Sequence, residues 1–122
     1  MYVIDSFAWL ELFGGTQKGE KVKGVFKENT GIATTAANYY EVYYRMEQKF
    51  GLAARKRAVR FIENNAQIIP IDNRIATGAA EIRLKEGLSA VDAFTLAAAR
   101  MLNCKVVTGD KHFRDFTEVS MI

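Results

Sequence analysis

Residues 89–116 run SAVDAFTLAAARMLNCKVVTGDKHFRDF, and within this stretch the apolar spacing changes from helical to extended. Ser89 stands where a helix N-cap is favoured, and Val91, Phe94, Leu96, Ala98 and Leu102 place apolar side chains all around the helix that follows. A helix apolar on every side is substantially buried. Cys104 to Thr108 then reads as a short strand, and one glycine later comes Asp110. The chain opens in the same manner, with the apolar run Tyr2-Val3-Ile4 closed by Asp5. Two strands that both end in an acid, one fed by a buried helix, belong to a strand-helix-strand architecture.

Working outward, the same alternation covers the chain. After the first strand, Tyr2 to Asp5, the spacing predicts a short apolar helix over Phe7 to Phe13 and a charged amphipathic one from Gly19 to Asn29. Ile32 to Thr34 is a brief second strand, and Thr35 is placed to cap a long helix from Ala36 to Phe50 that Gly51 terminates. Leu52 to Asn64 repeats apolar residues at helical spacing. Ile68 to Ile71 is extended, but Pro70 removes a ladder donor and favours an edge position. Asp72 resembles an N-cap for a helix ending near Gly87, and Thr117 to Ile122 supplies a fifth extended segment. The expected fold is α/β, with three α/β/α layers around a mostly parallel sheet of four to five strands. In such sheets ligands bind outside the carboxyl ends of the strands, where Asp5 and Asp110 fall.

With 122 residues, one proline and no repeat or low-complexity stretch, the sequence offers no linker, so residues 1–122 are expected to form a single domain. A composition 49% hydrophobic and 25% charged excludes a disordered chain, and no apolar run approaches the ~20 residues that span a bilayer. The start lacks the basic and small-residue features of a secretory leader, so a cytoplasmic location is expected. Cys104, without a partner for a disulfide, reads as a structural thiol. Seventeen Lys and Arg against 14 Asp and Glu give a net charge of +3. Setting aside Asp5, Glu41, Asp92 and Asp110 leaves 10 acids and a remainder of +7. An acidic pocket on a basic body suits a polyanion bridged to the protein by a cation.

Those four acids sit where strands end or helices begin: Asp5 and Asp110 after strands, Glu41 and Asp92 within the first two turns of helices. Two carboxylates about 4 Å apart repel by roughly 4 kcal/mol at an effective dielectric near 20, so their convergence calls for a cation. Mg²⁺ and Mn²⁺ prefer such hard oxygen ligands, with open positions for water and phosphate. Each acid also has a structural reading. Ser89 and Asp92 have the spacing of a capping box, Asp5 and Asp110 suit turns, and Glu41 suits a solvated helix face. That reading must hold at four places at once, and it leaves Glu41 unexplained between Tyr40 and Val42 in a strongly apolar segment.

Other residues carry weaker signals. Asp72 is explained as a helix cap and Asp115 as a solvent-facing acid. Ser6 and Thr108 adjoin the site strands, where their hydroxyls either orient a ligand or satisfy the backbone. His112 has no serine or cysteine nucleophile to pair with and reads as a surface histidine. The cluster Arg55, Lys56, Arg57 and Arg60 is either a phosphate contact or a solvated helix face. Of Tyr39, Tyr40, Tyr43 and Tyr44, two are expected in the core and the others on a subunit or partner surface.

Three pieces together resemble the PIN domain, in particular the compact VapC ribonuclease toxins of type II toxin-antitoxin pairs. They are VIDSFAWLELF (3–13), TTAANYYEVYYR (34–45) with Glu41, and the block at 89–116 with Asp92 and Asp110. The last is the most specific, with an acid in the first turn of an alanine-rich helix, a strand ending Thr-Gly-Asp, and Phe113 three residues on. The resemblance implies that Asp5 and Asp92 are the principal Mg²⁺ or Mn²⁺ ligands, with Glu41 and Asp110 completing a catalytic pocket. It further implies an endoribonuclease leaving 5′-phosphate and 3′-hydroxyl ends, with RNA as substrate, a cognate antitoxin as partner, and a homodimer.

Several alternatives compete with this reading. A haloacid-dehalogenase-type phosphatase needs a second Asp two residues after the first, and position 7 is Phe. A receiver-type phosphoacceptor lacks its paired acid beside Asp5. Within the PIN resemblance, an RNA-processing nuclease outside a toxin-antitoxin system and a non-catalytic PIN-like binding module stay open. Relatives in the former class often carry a zinc appendage that one cysteine cannot build.

Overall fold

The computed structural model describes residues 1–122. In chain order it contains β1 (Tyr2–Ile4), α1 (Ser6–Gly14), α2 (Gln17–Lys27), β2 (Ile32–Thr35), α3 (Ala36–Phe50) and α4 (Leu52–Asn65), followed by β3 (Gln67–Ile69), α5 (Asn73–Glu86), α6 (Ala90–Met101), β4 (Lys105–Thr108), a 3₁₀ turn at Lys111–Phe113 and β5 (Val119–Met121). The strands form one sheet in the order β3-β2-β1-β4-β5, and every pairing is parallel. The expected three-layer α/β architecture is therefore present, with five strands.

Both faces of this sheet are covered, which is why its central strands are almost wholly apolar rather than alternating. Successive side chains point to opposite faces. Val3 and Val106 enter one core with Ile75, Ile82, Leu96, Ala98 and Phe113, under α5 and α6. Ile4 and Val107 enter the other with Trp9, Val42, Met46 and Ile62, under α1, α3 and α4. The small residues Ala93, Ala97, Ala98 and Ala99 let α6 lie close to the strands, and all four are buried. No helix is long and apolar enough to cross a membrane.

Local chemistry sets the element ends. Asp5 is not the last residue of β1 but the N-cap of α1, accepting from the Ala8 N–H at 2.8 Å, so the helix starts at Ser6, one residue earlier than the apolar spacing predicts. Thr35 both ends β2 and caps α3, accepting from Asn38 N–H at 3.0 Å. Asp72 caps α5 as expected. Pro70 cannot donate to a ladder, so β3 ends at Ile69 and lies at the sheet edge. Cys104 lies just outside β4, half-buried against the core, and burial pushes its thiol pKa up, consistent with a structural role.

The tyrosines depart from expectation. Helix α3 buries Asn38, Val42 and Met46, and none of its four tyrosines is fully buried. Tyr39 packs against the core margin with its hydroxyl donating to Glu63 at 2.6 Å, while Tyr40 is 64% exposed. Helical geometry is the reason: residues 39 and 43 lie beside the 38-42-46 stripe, and residues 40 and 44 lie on the opposite side of the helix.

Trp9, fully buried, donates its indole N–H to Thr34 Oγ1 at 3.0 Å, and Thr34 donates onward to the Ile4 carbonyl at 2.7 Å. This chain ties α1 to β1 and β2. Thr34→Val is expected to cost about 1–3 kcal/mol by orphaning the buried indole N–H. In urea unfolding, Trp9→Phe combined with Thr34→Val should cost less than the sum of the single changes. Strict additivity would show that the bond is not coupled.

Candidate active site

The sheet order places the topological switch between β1 and β4, because the chain moves outward from β1 through β2 and β3 and then returns to β4 on the other side. A crevice opens at such a point beyond the strand ends. Ile4 is in register with Val107, and the Asp5 N–H donates to the Val107 carbonyl at 3.2 Å. Asp5 therefore begins where β1 and β4 separate, and it is only 4% exposed. Gly109 lets the chain turn away from β4 directly over the Phe7 ring; a Cβ at 109 would collide with that ring. Asp110 follows and caps the 3₁₀ turn, accepting from His112 N–H at 2.9 Å.

All four predicted site acids line one cavity of about 660 Å³, with Ser6, Asn38, Arg45, Lys49, Ser89 and His112 also in its wall. They are not equally close. Asp92, Asp110 and His112 each bring one potential ligand atom within 4.8 Å of the others. Asp5 and Glu41 lie outside that group of three but in the same wall. His112, read from the sequence as a surface residue, is indeed exposed, yet its Nδ1 lies 2.7 Å from Asp110 Oδ1. Its position two residues past an Asp that caps a turn was the available signal. The capping box that the Ser89–Asp92 spacing offers as the alternative reading does not form as such: Ser89 is the N-cap, but its side chain makes no capping bond.

Glu41 is held by two neighbours. The Ser6 hydroxyl donates to Oε1 at 2.6 Å, and Arg45 Nη2 lies 3.8 Å from Oε2. Arg45 and Lys49 follow Glu41 at intervals of one helical turn, so the three share a face of α3. In the other basic cluster, Arg55 pairs with Glu47 at 3.1 Å and stacks over the Tyr43 ring at 4.2 Å. Asp115 is exposed and does not line the cavity.

A family model described as PIN domain matches residues 2–119. The chain belongs to the PIN domain family. No curated protein sequence matches it. Solved structures do. A toxin-antitoxin complex from Klebsiella pneumoniae matches with TM-score 0.83 at 20% identity, covering 99% of this chain and 97% of that one. VapC20 of Mycobacterium tuberculosis, described as a toxin cleaving the sarcin-ricin loop, matches with TM-score 0.81 at 18% identity, covering 98% of both chains. VapBC2 of Rickettsia felis, solved on a promoter DNA fragment, matches with TM-score 0.75 at 13% identity, covering 99% and 96%.

The PIN fold here sets its carboxylates against one another. Burial pushes the Asp5 pKa up to about 7, and the charges of Asp92 and Asp110 push the same way against the opposing Thr108 hydroxyl and Ala8 N–H. Asp92 is raised as well, by burial first and then by Asp110 and Glu41, with Ser89 and His112 opposing. Between about 4 and about 7, folded protein holds a proton on Asp5 that the unfolded chain has released, so stability falls as pH rises through this window. The full span corresponds to roughly 4 kcal/mol. In chelator-treated protein the melting temperature should drop from pH 5 to pH 8, and Asp5→Asn, neutral throughout, should flatten that drop. Parallel profiles for the two proteins would show that Asp5 carries no such charge cost.

Proposed function

We propose that the protein is a divalent-metal-dependent endoribonuclease and the toxin of a toxin-antitoxin pair. The observation that carries this reading is the convergence of Asp5, Glu41, Asp92 and Asp110 on one cavity at the switch point of a PIN-family sheet. The donor set is oxygen-rich and mutually repulsive, which fits Mg²⁺ or Mn²⁺. Asp92, Asp110 and Asp5 would hold the ion, with Glu41 beside it. When bound, the ion supplies an activated water and neutralises charge at phosphorus.

The chain's own residues supply the rest. The Ser6 hydroxyl donates to the Glu41 carboxylate and so orients it. His112 and its own backbone N–H orient Asp110. Arg45 and Lys49, along α3 from Glu41, give the cavity wall cations for phosphates flanking the cleaved bond. The +7 remainder of the surface charge favours encounter with RNA. Neighbours solved as toxin-antitoxin complexes support an antitoxin partner, and the exposed Tyr40, Phe50 and Leu52 offer apolar surface to it or to a second copy in a homodimer.

Purified protein is expected to cut RNA with Mn²⁺ or Mg²⁺ and to stop when the ion is chelated. Asp5→Ala and Asp92→Asn should each lower kcat/KM by more than about 100-fold. Saturating Mn²⁺, at about 100 times its Kd, should stabilise the wild type by roughly 2.7 kcal/mol. Asp92→Asn should lose most of that gain. A wild type whose melting is indifferent to both ions would sink the metal reading.

Lys49→Ala and Arg45→Gln should raise KM more than they lower kcat, and each should reduce the slope of log K against log salt by about 1. An unchanged salt slope in the double variant would remove these cations from the RNA path.

A further inference from the structure

Three of the elements that carry the carboxylates meet on a neutral, buried side chain in the site wall. Asn38 is 1% exposed, and it lies on α3 one turn before Glu41. Its Oδ1 accepts from the Ser6 N–H at 3.1 Å and lies 2.8 Å from the Ser6 hydroxyl, at the start of α1 next to Asp5. Its Nδ2 donates at 2.9 Å to Thr95 Oγ1, one turn past Asp92 on α6. Thr95, fully buried, spends its own proton on the Val91 carbonyl at 2.8 Å, so it faces Asn38 only as an acceptor. That fixes the amide orientation, with oxygen toward α1 and nitrogen toward α6. Ser6 has one hydroxyl proton and two acceptors in reach. With Oδ1 already taken by the Ser6 N–H, the proton goes to the Glu41 carboxylate, the closer and stronger acceptor.

We infer that Asn38, with Thr95 and Ser6, is a positioning residue for the metal site: a neutral buried fork that holds Asp5, Glu41 and Asp92 at one cavity against their mutual repulsion. The inference rests on the metal-dependent reading above. Only an amide serves. Aspartate would turn an oxygen toward the Thr95 lone pairs and add a fifth, buried carboxylate, and leucine would orphan the Ser6 N–H. No buried side-chain N or O lacks a partner, so the network is closed.

The test is calorimetric titration of Mn²⁺ into the metal-free full chain. Thr95→Val keeps the side-chain shape and removes the hydroxyl that α6 offers to Asn38. Mn²⁺ affinity should fall about 10- to 100-fold, the range seen when groups supporting metal ligands are removed. Thr95→Ser restores the hydroxyl and should restore wild-type affinity. Thr95→Ala removes the hydroxyl with the best helix former, and it replaces the valine variant if that one fails to fold. A folded Thr95→Val or Thr95→Ala protein that melts lower but binds Mn²⁺ like wild type overturns the positioning role, because the network is then merely structural. A wild type that binds no Mn²⁺ overturns the metal reading, and this inference with it.

Discussion

Asp5 holds a carboxylate almost out of reach of water, at the end of a strand that is hydrogen-bonded along both edges. Burial disfavours its charge, and the neighbouring acids disfavour it further, so the ionised form persists only with help from outside the carboxylate itself. A few donors supply part of that help, among them the Ala8 N–H at the first turn of α1. A cation would supply the remainder. The rest of the site follows from this constraint: the other acids approach Asp5 from separate elements, and neutral polar groups, not further charges, hold those elements in place.

The parallel sheet makes the approach possible at low cost in chain length. Each crossover returns the chain to the same edge of the sheet, so strand ends collect there automatically. Strands of three or four residues turn into helices with almost no loop, and the turning residue serves two purposes. Asp5 is both site acid and N-cap, Thr35 closes β2 and caps α3, and Asp110 is both site acid and cap of the 3₁₀ turn. The two cores, one on each face, fix the helices that bring Glu41 and Asp92 in. Site precision and core packing are therefore one problem in this fold.

Charge separation is equally local. Along α3, Glu41 points into the cavity and Arg45 and Lys49 continue the same wall, so the acidic centre grades into a basic margin within two helical turns. Arg55 of α4 looks similar in sequence but differs in use, since it is committed to Glu47 and Tyr43. Charge alone does not separate these cases; the partners do.

Much of this was legible in the chain. Apolar runs, caps and glycines located every strand and helix to within a few residues, because these signals act over one or two turns. The acids at strand ends and early helix turns were visible as a set, because a parallel α/β sheet puts such positions on one edge. What escaped was everything settled by two distant segments at once. Asn38 looks like an ordinary polar residue in an aromatic run, and only the meeting of α1, α3 and α6 makes it a buried fork. The closeness of Asp110 to Asp92, and of His112 to both, depends on how the turn after Gly109 folds over Phe7. Which tyrosines are buried depends on which face of α3 the sheet covers. The sequence by itself determined the elements, their order and the acids they carry, since these depend on neighbours in the chain. The tertiary structure decided which of those acids touch and what holds them, since contacts across long sequence separations are written in no single segment.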